Sequence, residues 1–173
     1  LKLVTVARLE ESQKAIGRCL LAAQALLACN LAFEWLFVGG AYPEDDVLYK
    51  AFVQKAGLEK NVHFAGVQQN PFSSIRTADV FCFFSRSEGL PNTIFEAMIT
   101  GTPVAATRVA AIPEQILPGT GWLCETARER MVRLLDTLLH KPARMRAATH
   151  ILAGYQSENA NEQKSMHALS YAP

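Results

Sequence analysis

Two glutamates with seven residues between them, Glu88 and Glu96, lie in the segment Ser85-Arg86-Ser87-Glu88-Gly89-Leu90-Pro91-Asn92-Thr93-Ile94-Phe95-Glu96. Pro91 can open a helix there, because its missing N–H is not needed at that position. Backbone amides near Gly89 and Leu90 would then face whatever sits at the helix end, a ready place for an anion. Glu88 falls before the helix and Glu96 about one and a half turns into it, which separates their backbones by roughly 9–12 Å. That span resembles the reach from a sugar, across a diphosphate, to a ribose. Carboxylates accept hydrogen bonds from sugar hydroxyls well. Either glutamate alone reads equally as an exposed carboxylate favoured by the helix dipole.

Arg8 and Lys14 are the cations that could meet the phosphates. Arg8 follows an apolar run, and Lys14 is expected in the first turn of the next helix. A cation there works against the macrodipole, which suggests an anionic ligand. Two solvated surface residues would look the same from spacing alone.

The elements that must position these groups alternate along the chain. Strands are expected at 3–7, 33–38, 62–65, 80–84, 103–106 and 122–124, each short and apolar. Between them, Ser12 is the expected cap of a helix carrying Ile16, Leu20, Ala23 and Leu27 on one stripe. Helices are also expected at 45–56, 71–77, 93–99 (stopping at Gly101) and 113–117. Met131, Leu134, Leu135 and Leu138 mark one more amphipathic helix, and the tail from Pro142 reads as helical with a break near Gly154. This alternation implies an α/β domain, a doubly wound, Rossmann-like parallel sheet of about six strands with helices on both faces. In such sheets ligands bind outside the carboxyl ends of the strands. Arg8, Gly39-Gly40, Gly66, Ser85 to Glu88 and Thr107 each follow a strand, so they converge on that edge.

The whole chain has 173 residues, half of them apolar, with 17 basic and 16 acidic side chains. That excludes a disordered or collagen-like chain, and the balance argues against nucleic acid as the partner. Cys19, Cys29, Cys82 and Cys124 include no C-x-x-C pair and read as free, buried thiols. No histidine stands at zinc-ligand spacing from a cysteine, so no metal is expected. The longest apolar stretch, 19–38, is interrupted by Gln24, Asn30 and Glu34 and does not read as a membrane span. The expected location is the cytoplasm. Residue 1 is Leu inside the run Leu1-Lys2-Leu3-Val4-Thr5-Val6-Ala7, so the chain is expected to be a piece of a longer protein.

The motifs resemble a known family. Glu88-Gly89-Leu90-Pro91-Asn92 with Glu96-Ala97-Met98, then Gly101-Thr102-Pro103-Val104-Ala105-Ala106-Thr107, is similar to the donor-binding half of retaining GT-B glycosyltransferases. The group most like it is family four, glycosyltransferase group 1. Val6-Ala7-Arg8-Leu9 with Lys14, Phe37-Val38-Gly39-Gly40, Val62-His63-Phe64-Ala65-Gly66, Ala78-Asp79-Val80-Phe81 and Ile112-Pro113-Glu114 match in the family's order.

The resemblance implies that residues 1–173 form the C-terminal, nucleotide-sugar-binding half of such an enzyme, with 142–173 a helical tail. It implies that Arg8 and Lys14 hold the diphosphate, that Glu96 binds the ribose hydroxyls and that Glu88 contacts the transferred sugar. Gly89, Leu90 and Asn92 would offer backbone amides, Gly40 would be a further donor-binding residue, and Gly66 and Val67 would lie beside the base. No cofactor or metal is implied. The implied partners are a nucleotide diphosphate sugar, an N-terminal domain outside this chain, and an acceptor glycan or lipid-linked saccharide. Through that other domain, peripheral attachment at the inner face of the membrane is a second expectation. Three departures stand out: Ala15 where the family has Gly, Ala110-Ala111 where a Gly is common, and a short connection from Cys124 to Met131. Tyr155-Gln156-Ser157-Glu158 loosely resembles the family's closing helix. A nucleotide-sugar epimerase, a phosphorylase of the same fold and a non-catalytic nucleotide-binding module are the alternatives. A dinucleotide oxidoreductase is disfavoured, since no G-x-G-x-x-G follows the first strand.

Overall fold

A computed structural model of the protein describes residues 1–125 and 128–169; the side chains of 128, 155 and 157–169 are not described. Six parallel strands form one sheet: β1 (Lys2–Val6), β2 (Glu34–Val38), β3 (Val62–Phe64), β4 (Val80–Phe83), β5 (Val104–Thr107) and β6 (Gly121–Cys124). Their spatial order is β3-β2-β1-β4-β5-β6. Connecting helices are α1 (Ile16–Ala28), α2 (Pro43–Lys55), α3 (Phe72–Arg76), α4 (Asn92–Ile99) and α5 (Ile112–Gln115). Two more follow the last strand, α6 (Arg128–His140) and α7 (Pro142–Leu169). The doubly wound architecture is therefore as the alternation predicts.

Period-two alternation along the strands divides the core between the two faces. Leu3, Trp35, Phe37, Cys82 and Ala105 pack with Ile16, Leu20 and Leu26 of α1, Tyr49 of α2, and Met131, Leu135 and Leu138 of α6. On the opposite face Val4, Val6, Phe81, Phe83, Val104 and Ala106 meet Ile75, Ile94, Ala97 and Ile112 from α3, α4 and α5. Leu27, predicted on the α1 stripe, is only half-buried, because Leu26 occupies the centre of that face. One polar group crosses the core without penalty. The buried Thr5 hydroxyl donates to the Cys82 carbonyl at 2.9 Å and accepts the Trp35 indole N–H at 3.0 Å.

The chain order reverses between β1 and β4, which are hydrogen-bonded neighbours. The loops leaving their carboxyl ends diverge to opposite faces and open the crevice where an open α/β sheet takes its ligand.

Two local expectations are corrected. Helix α7 continues through Gly154; a single glycine costs about 1 kcal/mol against alanine but leaves the hydrogen-bond ladder intact. Cys29 is exposed just beyond α1, while Cys19, Cys82 and Cys124 are buried. Thr126 and Ala127, in the short connection after Cys124, fall outside the described residues, as do the side chains of Tyr155, Ser157 and Glu158.

Candidate donor-binding site

The loop from β1 to α1 carries both candidate cations. Lys14 lies just outside the helix rather than in its first turn, because Ala15 is the N-cap and adopts a left-handed conformation, φ 54°. Ser12 does not cap α1; its hydroxyl donates to the Glu10 carboxylate at 3.2 Å. The group at the helix end is the Glu11 carboxylate, which accepts the Gly17 N–H at 2.7 Å. A Cβ at Gly17 would stand 2.7 Å from the same carboxylate oxygen, so this approach depends on glycine.

Lys14 Nζ donates to Glu88 Oε1 at 2.6 Å. The two side chains are 16% and 5% exposed, so the pair is largely withdrawn from water. Gln13 Nε2 approaches the other Glu88 oxygen at 3.5 Å, and the Lys14 ammonium sits 5.0 Å from the Phe83 ring centroid. The charge that sequence alone leaves unmatched thus has a partner supplied by the β4–α4 loop. Removing one member of such a pair leaves a desolvated charge behind, the expensive change in buried ion pairs.

Arg86 joins the same two loops. Its backbone N–H donates to the Gln13 carbonyl at 2.8 Å and its Nε to the Glu11 carbonyl at 3.2 Å. Its Nη2 also pairs with the Glu11 carboxylate. Sequence places Arg86 on the ligand edge without a role, and gives no signal for Glu11, Gln13 or Gly17. Glu11 lies six positions before the amide it accepts, not three as in a capping box, so the local signal is misleading.

Arg8 is exposed and lines a cleft of about 450 Å³ at the carboxyl ends of β1 and β2. Its guanidinium has no hydrogen bond or ion pair among the described residues. Gly40, Val67, Gln68 and Tyr42 line the same cleft. Gly39 makes it possible: at φ 141° a Cβ would fall 1.7 Å from the Ala7 carbonyl oxygen. The Gly39 N–H donates to the Gly66 carbonyl at 2.8 Å, and this draws the β3 loop, with exposed Val67, to the cleft wall.

Helix α4 begins at Asn92 after Pro91, with no side-chain hydrogen bond capping it. Gly89, Leu90 and Asn92 are exposed around that end, and Glu96 is half-buried within the helix. The buried Thr107 hydroxyl donates to the Ser85 carbonyl at 2.7 Å and ties the end of β5 to this loop. The structure therefore joins Lys14 directly to Glu88 and places Arg8, Gly40 and Val67 on one cleft. Glu96 lines neither that cleft nor the ion pair, and Leu90 instead lines an apolar cavity of about 400 Å³ among α4, α5 and α7. Ala110, like Ala15, has positive φ, at 46°. Ala15 and Ala110 thus adopt a backbone shape that glycine favours, while Ala111 has φ −82°.

A profile of the family described as glycosyl transferases group 1 matches residues 1–141. The chain belongs to this family. Among relatives of this glycosyltransferase domain, LpsB of Rhizobium meliloti, a lipopolysaccharide core biosynthesis mannosyltransferase, is 41% identical over 99 residues. That match covers 56% of this chain and 28% of LpsB. AmsK of Erwinia amylovora, an amylovoran biosynthesis glycosyltransferase, is 30% identical over 132 residues, covering 71% of this chain and 32% of AmsK. Among solved structures, HepE of Anabaena in complex with UDP superposes with a TM-score of 0.79 at 19% identity. It covers 99% of this chain and 49% of HepE. The C-terminal domain of LpcC, a group 1 family protein from Francisella tularensis, gives 0.76 at 24% identity, covering 90% of this chain and 86% of that domain. These likenesses identify the fold as one half of a GT-B glycosyltransferase. The chain spans less than a third of the length of the two curated relatives. Among the described residues, no helix is long and apolar enough to cross a membrane.

Proposed function

We propose that this chain is the nucleotide-sugar-binding, C-terminal half of a retaining glycosyltransferase of family four. With an N-terminal domain it transfers a hexosyl group to an acceptor glycan or lipid-linked saccharide in polysaccharide or glycolipid assembly. The observation that carries this reading is the Lys14–Glu88 ion pair at the switch point, beside an Arg8 with no partner among the described residues, in a chain of the group 1 family. The polysaccharide and lipopolysaccharide functions of AmsK and LpsB, and the UDP bound to HepE, support the substrate class.

In this reading Arg8 and Lys14 hold the diphosphate and offset the charge that develops on it as the glycosyl bond breaks. They serve that purpose without a metal ion, Arg8 chiefly by its charge and Lys14 by the donors it keeps beside Glu88. The Lys14 ammonium has three donors and spends one on Glu88, so it can hold a phosphate oxygen while still orienting the carboxylate. Glu88 then contacts the hydroxyls of the transferred sugar. Glu96, with no side-chain partner among the described residues, receives the ribose hydroxyls. The amides of Gly89, Leu90 and Asn92 face sugar or phosphate, and Gly40, Gly66 and Val67 flank the base. We place the protein in the cytoplasm, with membrane contact through the other domain.

Calorimetry with UDP, GDP and ADP tests the reading. Binding of at least one is expected, weakened by Glu96→Ala. No binding of any of the three, or binding that Glu96→Ala leaves unchanged, would overturn it.

A further inference from the structure

The candidate cations and carboxylates sit on two separate loops, so their alignment depends on what joins those loops. Lys14 lies between a left-handed Ala15 and a stretch, 10–13, outside any helix or strand. Its long side chain reaches Glu88 only if the backbone at 13–15 stays in place. Three groups outside the proposed ligand contacts hold it there. Arg86 bonds the Gln13 carbonyl, the Glu11 carbonyl and the Glu11 carboxylate. Glu11 divides its carboxylate, with one oxygen on Arg86 and the other on the Gly17 amide in the first turn of α1. Gly17 leaves room for that oxygen.

We propose that Glu11, Arg86 and Gly17 are positioning residues: together they lock the Lys14 loop to the Glu88 loop and so preset the lysine for the diphosphate. This rests on the reading of the site as a nucleoside-diphosphate site. The Arg86–Glu11 pair is more than a third exposed, so its value as a surface ion pair alone is small. Its effect comes from fixing the Glu11 carbonyl and, through the Glu11 carboxylate, a helix end at once, next to the Gln13 carbonyl that the Arg86 backbone N–H holds. A guanidinium fork does this and a lysine ammonium on the same stem does not.

Two measurements on this chain test the lock. The first needs no nucleotide: competitive labelling of lysine amines, with exposed Lys50 as the internal standard. Lys14 labelling should rise several-fold over Lys50 in Arg86→Ala, Glu11→Ala and Gly17→Ala, with only partial recovery in Arg86→Lys. Gly17→Ala serves as the variant least prone to misfold, since alanine favours a helix and only the Glu11 carboxylate is displaced. The second is nucleotide binding. Arg86→Ala should weaken the diphosphate about tenfold, as loss of one charge-assisted hydrogen bond would. It should leave the matching nucleoside unaffected, and adding it to Lys14→Ala should cost little more.

Unchanged Lys14 labelling in all three alanine variants overturns the proposal. So does an equal loss for nucleoside and diphosphate, or losses that simply add. Faster labelling in a protein that binds no nucleotide supports the lock and refutes the functional reading. Nucleotide binding with labelling unmoved refutes the lock and leaves the functional reading standing.

Discussion

Replacing Ala110 by glycine should stabilise the protein, and the same change at Ala15 should not. Both alanines have positive φ, 46° and 54°. Left-handed backbone costs a residue with a Cβ about 1–2 kcal/mol, and glycine removes that cost. Glycine also gives the unfolded chain more freedom, which returns about 0.4–1 kcal/mol. The difference at Ala110, which is exposed, is a gain of about 0.5–1 kcal/mol. Ala15 is fully buried, so its glycine variant also loses the burial of one methyl group, about 0.8 kcal/mol. That brings Ala15→Gly close to zero. Urea unfolding followed by far-UV circular dichroism reads both changes as midpoint shifts at constant slope. For a domain of this size the Ala110 gain corresponds to a melting temperature about 1–4 °C higher. A midpoint lowered by Ala110→Gly would refute the strain argument. A gain at Ala15 as large as that at Ala110 would refute the role given to the buried methyl.

Thr5→Val keeps the shape of the core but strands the Trp35 indole N–H, so unfolding free energy should fall by about 1–3 kcal/mol. Adding Trp35→Phe to that variant should cost less than Trp35→Phe costs alone, measured by the same urea titration. Stability should also fall on the alkaline side. Burial pushes the Cys124 thiol up to about 11, helped by the nearby Glu125 charge, and burial raises Cys19 and Cys82 as well. The folded protein therefore keeps protons that the unfolded chain releases above about pH 9, and stability declines as pH rises from there through 11. Urea midpoints at pH 8 and 10.5 should show the fall, and Cys82→Ala should lessen it. At neutral pH a thiol reagent should modify Cys29 and spare the three buried cysteines.

The strands were legible because each is a short apolar run with β-branched or aromatic residues, and a parallel sheet buried on both faces asks for little else. The end of α4 was legible for a local reason too, since Gly101 takes the positive φ that closes a helix. Ser12 misled because capping rules look one turn ahead, whereas the real cap is a longer acidic side chain folded back by Arg86 from a loop more than 70 positions away. No sequence window contains that contact. Gly154 misled in the opposite direction: propensity alone suggests a break, but an otherwise helical tail tolerates one glycine. The positive φ at Ala15 and Ala110 was illegible from residue type, because alanine normally avoids it. Only the comparison with a family glycine marked these two places.

Residue types alone gave Arg8 and Lys14 equal roles; the structure separates them. Lys14 is already neutralised by Glu88 at 2.6 Å, so the pair as a whole offers an incoming dianion little net attraction. What it offers is direction, through two remaining ammonium donors fixed beside a carboxylate that, on the proposed reading, meets the sugar. Arg8 has no counter-charge among the described residues and is exposed on the wall of the neighbouring cleft. A charge in that position acts at longer range, and salt screens it more than the largely buried pair. On the proposed reading, capture of the diphosphate falls chiefly to Arg8 and its alignment to Lys14. Arg8→Ala should then flatten the salt dependence of diphosphate binding, while Lys14→Ala weakens binding at low and high salt alike. The opposite pattern would show that the Lys14–Glu88 pair opens before the ligand arrives.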